Sequence, residues 1–346
     1  MAIRVLRPTR LSPAELDRYL EEGWFRIGQA LMSCHAVLFD GVLRSALWTR
    51  LPIAERRYTK SNRKLIARNA RRFTTEFGPA LVDAEREALY QRYRAVVRGD
   101  RSPTLDDFLF GDSSRDVFDT WEVRIRDGDR LVAFSWFDRG RSALQSLLGV
   151  YEPDLASHSL GYYTMLQEVE YGARHGMTHF YPGYVLPGEP AMDYKLRVGE
   201  VEYLDTSAGL WRAWSEVDNH VLPVDRLRGA LEAVIAELQA LGLDGRIRRY
   251  TMFEAPAWHE HLRGCLDQPL VIEVDADRWV PRPLVVVFDL DRGSFRLLRC
   301  IRARALTVQR EGEERRPVEL WVVDAWLATC PDAVTVATEA ERWWRG

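Results

Sequence analysis

Apolar and polar positions along the chain follow two periods, and the switches between them mark out elements. Leu11 to Glu22 has a helical period. Ser12 stands as N-cap, Pro13 as first helical residue and Glu15 three after the cap, and Gly23 closes the helix. The stretch that follows, from Gly23 to Ile53, alternates apolar and polar runs around Asp40-Gly41, a hairpin-turn dipeptide. Tyr58 to Phe73 reads as a basic helix capped by Thr59. Asp83 to Val97 reads as another, with Leu89, Tyr90 and Tyr93 on one face. WEVRIRDGDRLVAFSWFD is a hairpin turning at Asp127-Gly128-Asp129. A strand, SLLGVYEP, then a helix from Ser159 through Arg174 stopped by Gly176, then a strand, THFYPGYV, complete this stretch. Beyond Asp205 the pattern predicts an amphipathic helix over Val224 to Leu241 and a hairpin turning at Asp291 to Gly293. ELWVVDAW reads as a strand or a short helix.

Composition narrows the class. The chain has 346 residues, 47% hydrophobic and 29% charged, which is a globular balance and not that of a disordered chain. The longest apolar runs, such as Leu284 to Phe288, are of strand length, so the reading has no membrane partner. The N-terminus turns charged too early for a signal peptide, so a cytoplasmic location is expected. Cys34, Cys265, Cys300 and Cys330 form no CxxC pair, so spacing implies neither a metal site nor disulfides. Cys34 and the adjacent His35 make a poor dyad, because neighbours on a strand face opposite ways.

Charge adds a second layer. The net charge is −3, yet Arg50 to Arg72 holds nine cations (Arg50, Arg56, Arg57, Lys60, Arg63, Lys64, Arg68, Arg71 and Arg72) against Glu55 alone. That segment carries +8 and the remainder −11, which points to an anionic partner or to a solvated helix face. Lysine is scarce: Lys60, Lys64 and Lys195 stand against 45 arginines among the 48 basic residues. A lysine is a compact charge on a flexible stem, so each of the three marks a position of interest.

The order hairpin, strand, helix, strand resembles the core of GNAT acyltransferases. The fold class expected is α+β, a mixed sheet flanked by helices, with a basic N-terminal region over 1–75, the core over 76–205 and an α+β extension of unknown role over 206–346. In that family a glycine-rich loop before the helix holds the pyrophosphate of coenzyme A. Here the loop reads EPDLASHSLGYY, with Gly161 as its one glycine and no arginine. Such a loop suits CoA poorly, so another donor is expected. An aminoacyl-tRNA matches the basic segment as a polyanion whose phosphates position it. Trp24, Tyr58, Tyr162, Tyr163, Tyr181 and Tyr184 are candidates to stack its unpaired acceptor end, with core packing as the alternative for each.

GWFRIGQ (Gly23 to Gln29), YTKSNRKLIARN (Tyr58 to Asn69), ALYQRY (Ala88 to Tyr93), the run from Gly149 to Gly172 and the run from His179 to Leu204 carry a further resemblance. Five pieces in this order, over residues 23–205, resemble the arginyl-tRNA–protein transferases and their bacterial leucyl-transferring relatives. The resemblance implies transfer of an amino acid, arginine first and leucine second, from charged tRNA to the N-terminal α-amine of a protein. That modification marks the protein for degradation. Three departures stand out: the family's N-terminal cysteine cluster is reduced to Cys34, its YLGY appears as YPGY with Pro182, and Thr206 to Gly346 has no counterpart. No cofactor is expected beyond aminoacyl-tRNA as co-substrate.

The reaction is amine attack on an activated ester, so positioning, oxyanion stabilisation and proton removal are the work to be done. Within Asp193-Tyr194-Lys195, Lys195 is expected to meet a tRNA phosphate or the terminal ribose, and Asp193 an ammonium, with a surface ion pair as the alternative. Tyr184 is a candidate to orient the acyl group. Ser159 is expected first as a helix cap and second as part of an oxyanion site, and His158 as an exposed loop histidine or a proton relay. Glu168 and Glu170 are expected to be solvated or paired. Arg56, Arg57, Lys60, Arg63, Lys64 and Arg68 are the expected tRNA contacts. The competing functions are a CoA-dependent N-acyltransferase and a nonenzymatic tRNA-binding protein on the same scaffold.

Overall fold

In the computed structural model the described residues are 2–97, 101–218, 220, 222–275, 280–308 and 316–345, without the side chains of 304–308 and 316–318. They divide into two units, each described by itself. The larger comprises residues 6–33 and 47–217, and the smaller 1–5, 34–46 and 218–346.

The larger unit is built on one mixed sheet. The strands of that sheet and the main helices, in chain order, are α1 (Pro13–Glu21), β1 (Leu47–Pro52), α2 (Lys60–Ala70), β2 (Thr74–Pro79), α3 (Ala84–Arg94), β3 (Thr120–Asp127), β4 (Arg130–Arg139), β5 (Ala143–Tyr151), α4 (Leu160–Arg174), β6 (His179–Val185), β7 (Glu202–Asp205) and β8 (Leu210–Ala213). The eight strands lie in the order β8-β7-β1-β6-β5-β4-β3-β2. All neighbours are antiparallel except β5 and β6, which α4 joins as a crossover. This is the expected α+β arrangement. The position of β1, which slots between β6 and β7 from far upstream, goes beyond what the pattern predicts.

Helix α4 covers one sheet face, packing Leu160, Tyr163, Leu166 and Val169 onto Val123, Ile125, Phe137 and Leu144. Helix α3 covers the other, with Leu89, Tyr90 and Tyr93 against Phe134, Trp136 and Val150. Burial of such side chains contributes about 1.5–3 kcal/mol each. Two buried ion pairs lock the sheet further, Arg86 with Glu122 at 2.5 Å and Arg26 with Asp138 at 2.7 Å. Arg26 also donates to Thr120 Oγ1, Gly28 O and Leu109 O, and Gln29 donates to Leu109 O, so GWFRIGQ acts here as a structural clasp. The local signals at α1 hold: Ser12 and Glu15 form a reciprocal capping box.

The smaller unit has a five-stranded antiparallel sheet, in the order Gly245–Arg249, Leu270–Val274, Leu284–Asp289, Ser294–Val308 and Arg316–Cys330. Helices Pro223–Ala240 and Ala333–Arg345 pack on one face of it. ELWVVDAW belongs to the last strand. Asp40-Gly41 turns a hairpin between Ala36–Phe39 and Val42–Ser45, as expected. His35 is held by Asp291 at 2.7 Å, and burial pushes the Cys34 thiol far up, so the two form no nucleophile–base pair. Among the described residues, no helix is long and apolar enough to cross a membrane, and no three His, Cys, Asp or Glu gather as a metal site would require.

Candidate active site between two parting strands

Strands β5 and β6 pair only from Ala143 with His179 to Gln145 with Tyr181. The next residue of β6 is Pro182, which has no N–H to donate. Gly183 follows at φ +93°, and β6 shifts its register against β1 between Phe180 and Gly183. On the other side, β5 shifts against β4 between Ser146 and Leu148. From Ser146 and Pro182 onward the two parallel strands are therefore unpaired, which leaves an opening in the ladder between them.

One wall of this opening is β6. A Cβ on Gly183 would sit 3.0 Å from the Phe25 ring and 3.4 Å from Lys195 Nζ, so the site requires glycine on two counts, space and backbone angle. Lys195 Nζ donates to Tyr184 O at 2.9 Å and lies 5.4 Å from the centre of the Tyr184 ring. Phe25, Trp48 and Tyr184 make a connected aromatic wall, with ring centres 5.6 and 5.5 Å apart. Burial, with the Arg101 charge nearby, lowers the Lys195 ammonium to about 8. Lys195 has no carboxylate partner among the described residues, whereas Arg26, Arg50 and Arg86 are all paired. Asp193, by contrast, is exposed.

Helix α4 brings a carboxyl against the sheet. Glu168, on α4, is completely buried, and neither of its carboxyl oxygens has a hydrogen-bond partner among the described residues. Burial raises its pKa to about 8. The nearby hydroxyls of Ser135 and Ser146 draw it partly back without completing a bond in this geometry. Tyr194, on the same 3₁₀ stretch as Lys195, is exposed. The expectation that Glu168 is solvated or paired is thus corrected. The helical period puts it on the stripe of Leu160 and Thr164, which faces the sheet. Glu170 points the other way and meets Arg56 at 3.5 Å.

At the head of α4, Ser159 occupies the N-cap position but its side chain makes no cap hydrogen bond. The expected capping role is corrected by the backbone, which is left-handed at φ +52°, outside the extended conformation typical of a capping residue. The loop before it is anchored by Glu152, which accepts from Arg92 and also pairs with Arg130, each at 2.9 Å. Arg92 and Arg130 are thereby neutralised at the start of the loop. His158 is not a free loop histidine: it stacks edge-on to Phe73 and contacts Arg72 at 3.1 Å, and burial followed by the Arg72 charge lowers its pKa.

Residues 85–205 match the family model described as the C terminus of arginine-tRNA-protein transferase. An aspartate/glutamate leucyltransferase of Stenotrophomonas maltophilia is 31% identical over 178 residues, which are 49% of this chain and 68% of that protein. One from Leptospira interrogans is 27% identical over 202 residues, 54% of this chain and 73% of its own length. The chain belongs to the aminoacyl-tRNA–protein transferase family. A solved GCN5-related N-acetyltransferase from Anabaena variabilis aligns with a TM-score of 0.29, at 15% identity, over 59% of this chain and 43% of that one, too slight a likeness to bear on the site. The family match runs from α3 to β7 and so takes in Glu168, Gly183 and Lys195; α2 and the smaller unit's sheet lie outside it.

In this member of the transferase family the basic helix has two faces. Asn62 donates to Arg197 O at 2.7 Å and Asn69 to His158 O at 2.9 Å, while Tyr162 Oη bridges Asn62 and Arg197 O. These bonds pin α2 to the head of α4 and to the end of the 3₁₀ stretch Pro190–Val198, the segments that follow β5 and β6 in the chain. Thr59 caps α2 as expected. Arg57, Lys60, Arg63 and Lys64 are exposed, and none of them has an acidic partner among the described residues. Arg68 is exposed and donates to Ser157 O. Arg56 is corrected: it turns inward to Glu170 and Ile53 O. Arg50 is likewise taken up by Glu21 and Glu202, and Arg72 by Asp127. Of the aromatic stacking candidates, Trp24, Tyr162, Tyr163 and Tyr181 are buried in the core, and Tyr58 and Tyr184 are half-buried.

Proposed function

We propose that this protein transfers an aminoacyl group from charged tRNA to the N-terminal α-amine of an acceptor protein. The observation that carries the reading is the basic helix pinned to His158 O, in the segment after β5, and to Arg197 O, in the segment after β6. Its exposed cations would hold acceptor-stem phosphates while the ester reaches between the strands. The ester is already reactive, so holding it against the amine supplies much of the acceleration. Lys195 Nζ stands beside Gly183 and Tyr184, where β6 leaves its pairing with β5. It is proposed to meet the terminal phosphate or ribose, with Tyr184 orienting the acyl group. Asp193 and Tyr194 on the same 3₁₀ stretch are proposed to face the incoming acceptor, and Ser159 to stand at the donor's end beside the head of α4.

For the donor we favour leucine over arginine. The opening is walled by Phe25, Trp48 and Tyr184 and already holds the Lys195 ammonium, so a guanidinium side chain would meet a like charge where an aliphatic one would pack. The relatives' own name, aspartate/glutamate leucyltransferase, agrees with this choice, and we take aspartate and glutamate as the first residues of the acceptor. The test is incubation with leucyl-tRNA, arginyl-tRNA or acetyl-CoA and peptides beginning with Asp, Glu or Ala, read by mass spectrometry. Leucyl addition to the acidic peptides is expected. Acetylation alone would favour a CoA-dependent enzyme. Salt-dependent tRNA binding without transfer would favour a nonenzymatic scaffold.

A further inference from the structure

The transfer proposed above leaves one step without an owner. Attack of the amine on the ester forms a C–N bond and breaks the C–O bond to the ribose, and a proton must move from nitrogen to the departing oxygen. Glu168 is a completely buried carboxyl with the Ser135 and Ser146 hydroxyls beside it, and neither of its oxygens completes a hydrogen bond among the described residues. Carboxyls are almost never buried in this way unless paired. Among the described residues no arginine or lysine is paired with it, although Glu122, Asp138 and Glu152 all have such partners.

Its position gives the group a purpose. Of the two hydroxyls beside it, Ser135 lies on β4, and Ser146 is the first residue of β5 beyond the last β5–β6 pair, where the opening begins. Ser135 Oγ is itself buried without a partner. Strands β4 and β5 and the crossover helix thus converge on one buried acid.

We infer that Glu168 is the proton shuttle of the transfer. It rests on the activity proposed above. As the free α-amine attacks the ester carbonyl, the Glu168 carboxylate takes a proton from the nitrogen. As the C–O bond breaks, the resulting carboxylic acid gives that proton to the ribose oxygen. The products are the amide and a ribose hydroxyl, and the carboxylate is regenerated. A pKa near 8 suits both halves, because it lies close to that of an α-amine, about 7.7–8.0, and such matching favours general acid–base work.

The test uses the full chain under single turnover with saturating leucyl-tRNA and an acidic peptide. Glu168→Gln keeps size and shape and is expected to slow transfer by at least about 100-fold, within the range for loss of a general base, with tRNA affinity unchanged. Glu168→Ala is expected to be as slow and to regain rate when formate is added, but not when chloride is added at equal ionic strength. A structural role would give no such rescue. A Glu168→Gln rate within about threefold of wild type, or a Glu168→Ala rate that formate does not raise, overturns the assignment. Absence of transfer by the wild-type protein with every charged tRNA would instead remove the activity on which it rests.

Discussion

Glu168 also has a consequence for stability that needs no substrate. Its carboxyl moves from an ordinary 4.5 in the unfolded chain to about 8 in the folded one, chiefly because burial penalises the charged form. Between those two values the folded state binds the proton more tightly than the unfolded state does, so stability falls as pH rises. The contribution is fully present below about pH 4.5 and is lost as pH climbs through 8. At about 1.4 kcal/mol per pH unit, the whole span amounts to on the order of 5 kcal/mol. Side chains elsewhere add their own slopes, so the informative quantity is the difference between wild type and Glu168→Gln, which cannot ionise there. Denaturant melts of both proteins at intervals from pH 5 to 9 measure it. The wild type is expected to lose several kcal/mol relative to the variant over that range, and Glu168→Gln to be the more stable of the two at pH 9. Parallel curves would refute the reasoning and mean that the carboxyl is solvated or paired in solution.

Three further outcomes follow from the site. Replacing Arg57, Lys60, Arg63 and Lys64 together by alanine should weaken tRNA binding and flatten the plot of log affinity against log salt by roughly three to four, near one for each phosphate left without its cation; an unchanged slope would show that these cations face something else. Gly183→Ala places a methyl against Phe25 and Lys195 at φ +93°, so it should cost about 1–3 kcal/mol and lower the melting temperature by several degrees, and an unshifted melt would contradict the geometry. Lys195→Ala and Lys195→Arg should both cut single-turnover transfer, by up to about 100-fold, since a wider planar head displaces what the compact ammonium positions; wild-type rates in both would remove Lys195 from the site.

The parts of this structure visible in the sequence are those decided within a few residues. Ser12 and Glu15, Thr59, Asp40-Gly41 and Asp127-Gly128-Asp129 each carry their own cap or turn chemistry, and each appears where that chemistry puts it. Residues whose role depends on distant partners are less legible. Arg56 reads as one more cation in a basic run, yet Glu170, over a hundred positions away, turns it inward. Leu47–Pro52 gives no local sign that it will lie between β6 and β7. The helix Ala333–Arg345 does carry a local signal in Asp332, which accepts from Thr335 N, and the apolar pattern alone passes it over. Glu168 is within reach: the spacing Leu160, Thr164, Glu168 places an acid on the stripe that must face the sheet, and an acid so placed needs a reason.

The central claim is that this chain moves an aminoacyl group from tRNA to an N-terminal amine. The most direct measurement is a quenched single-turnover reaction in which leucyl-tRNA and an acidic peptide are mixed with enzyme and the peptide product is sequenced by tandem mass spectrometry. The account predicts one added leucine, joined by an amide to the α-amine, formed at a rate that tracks loss of the aminoacyl ester. Full deacylation of the tRNA with no modified peptide, or binding of the tRNA with neither, would contradict it.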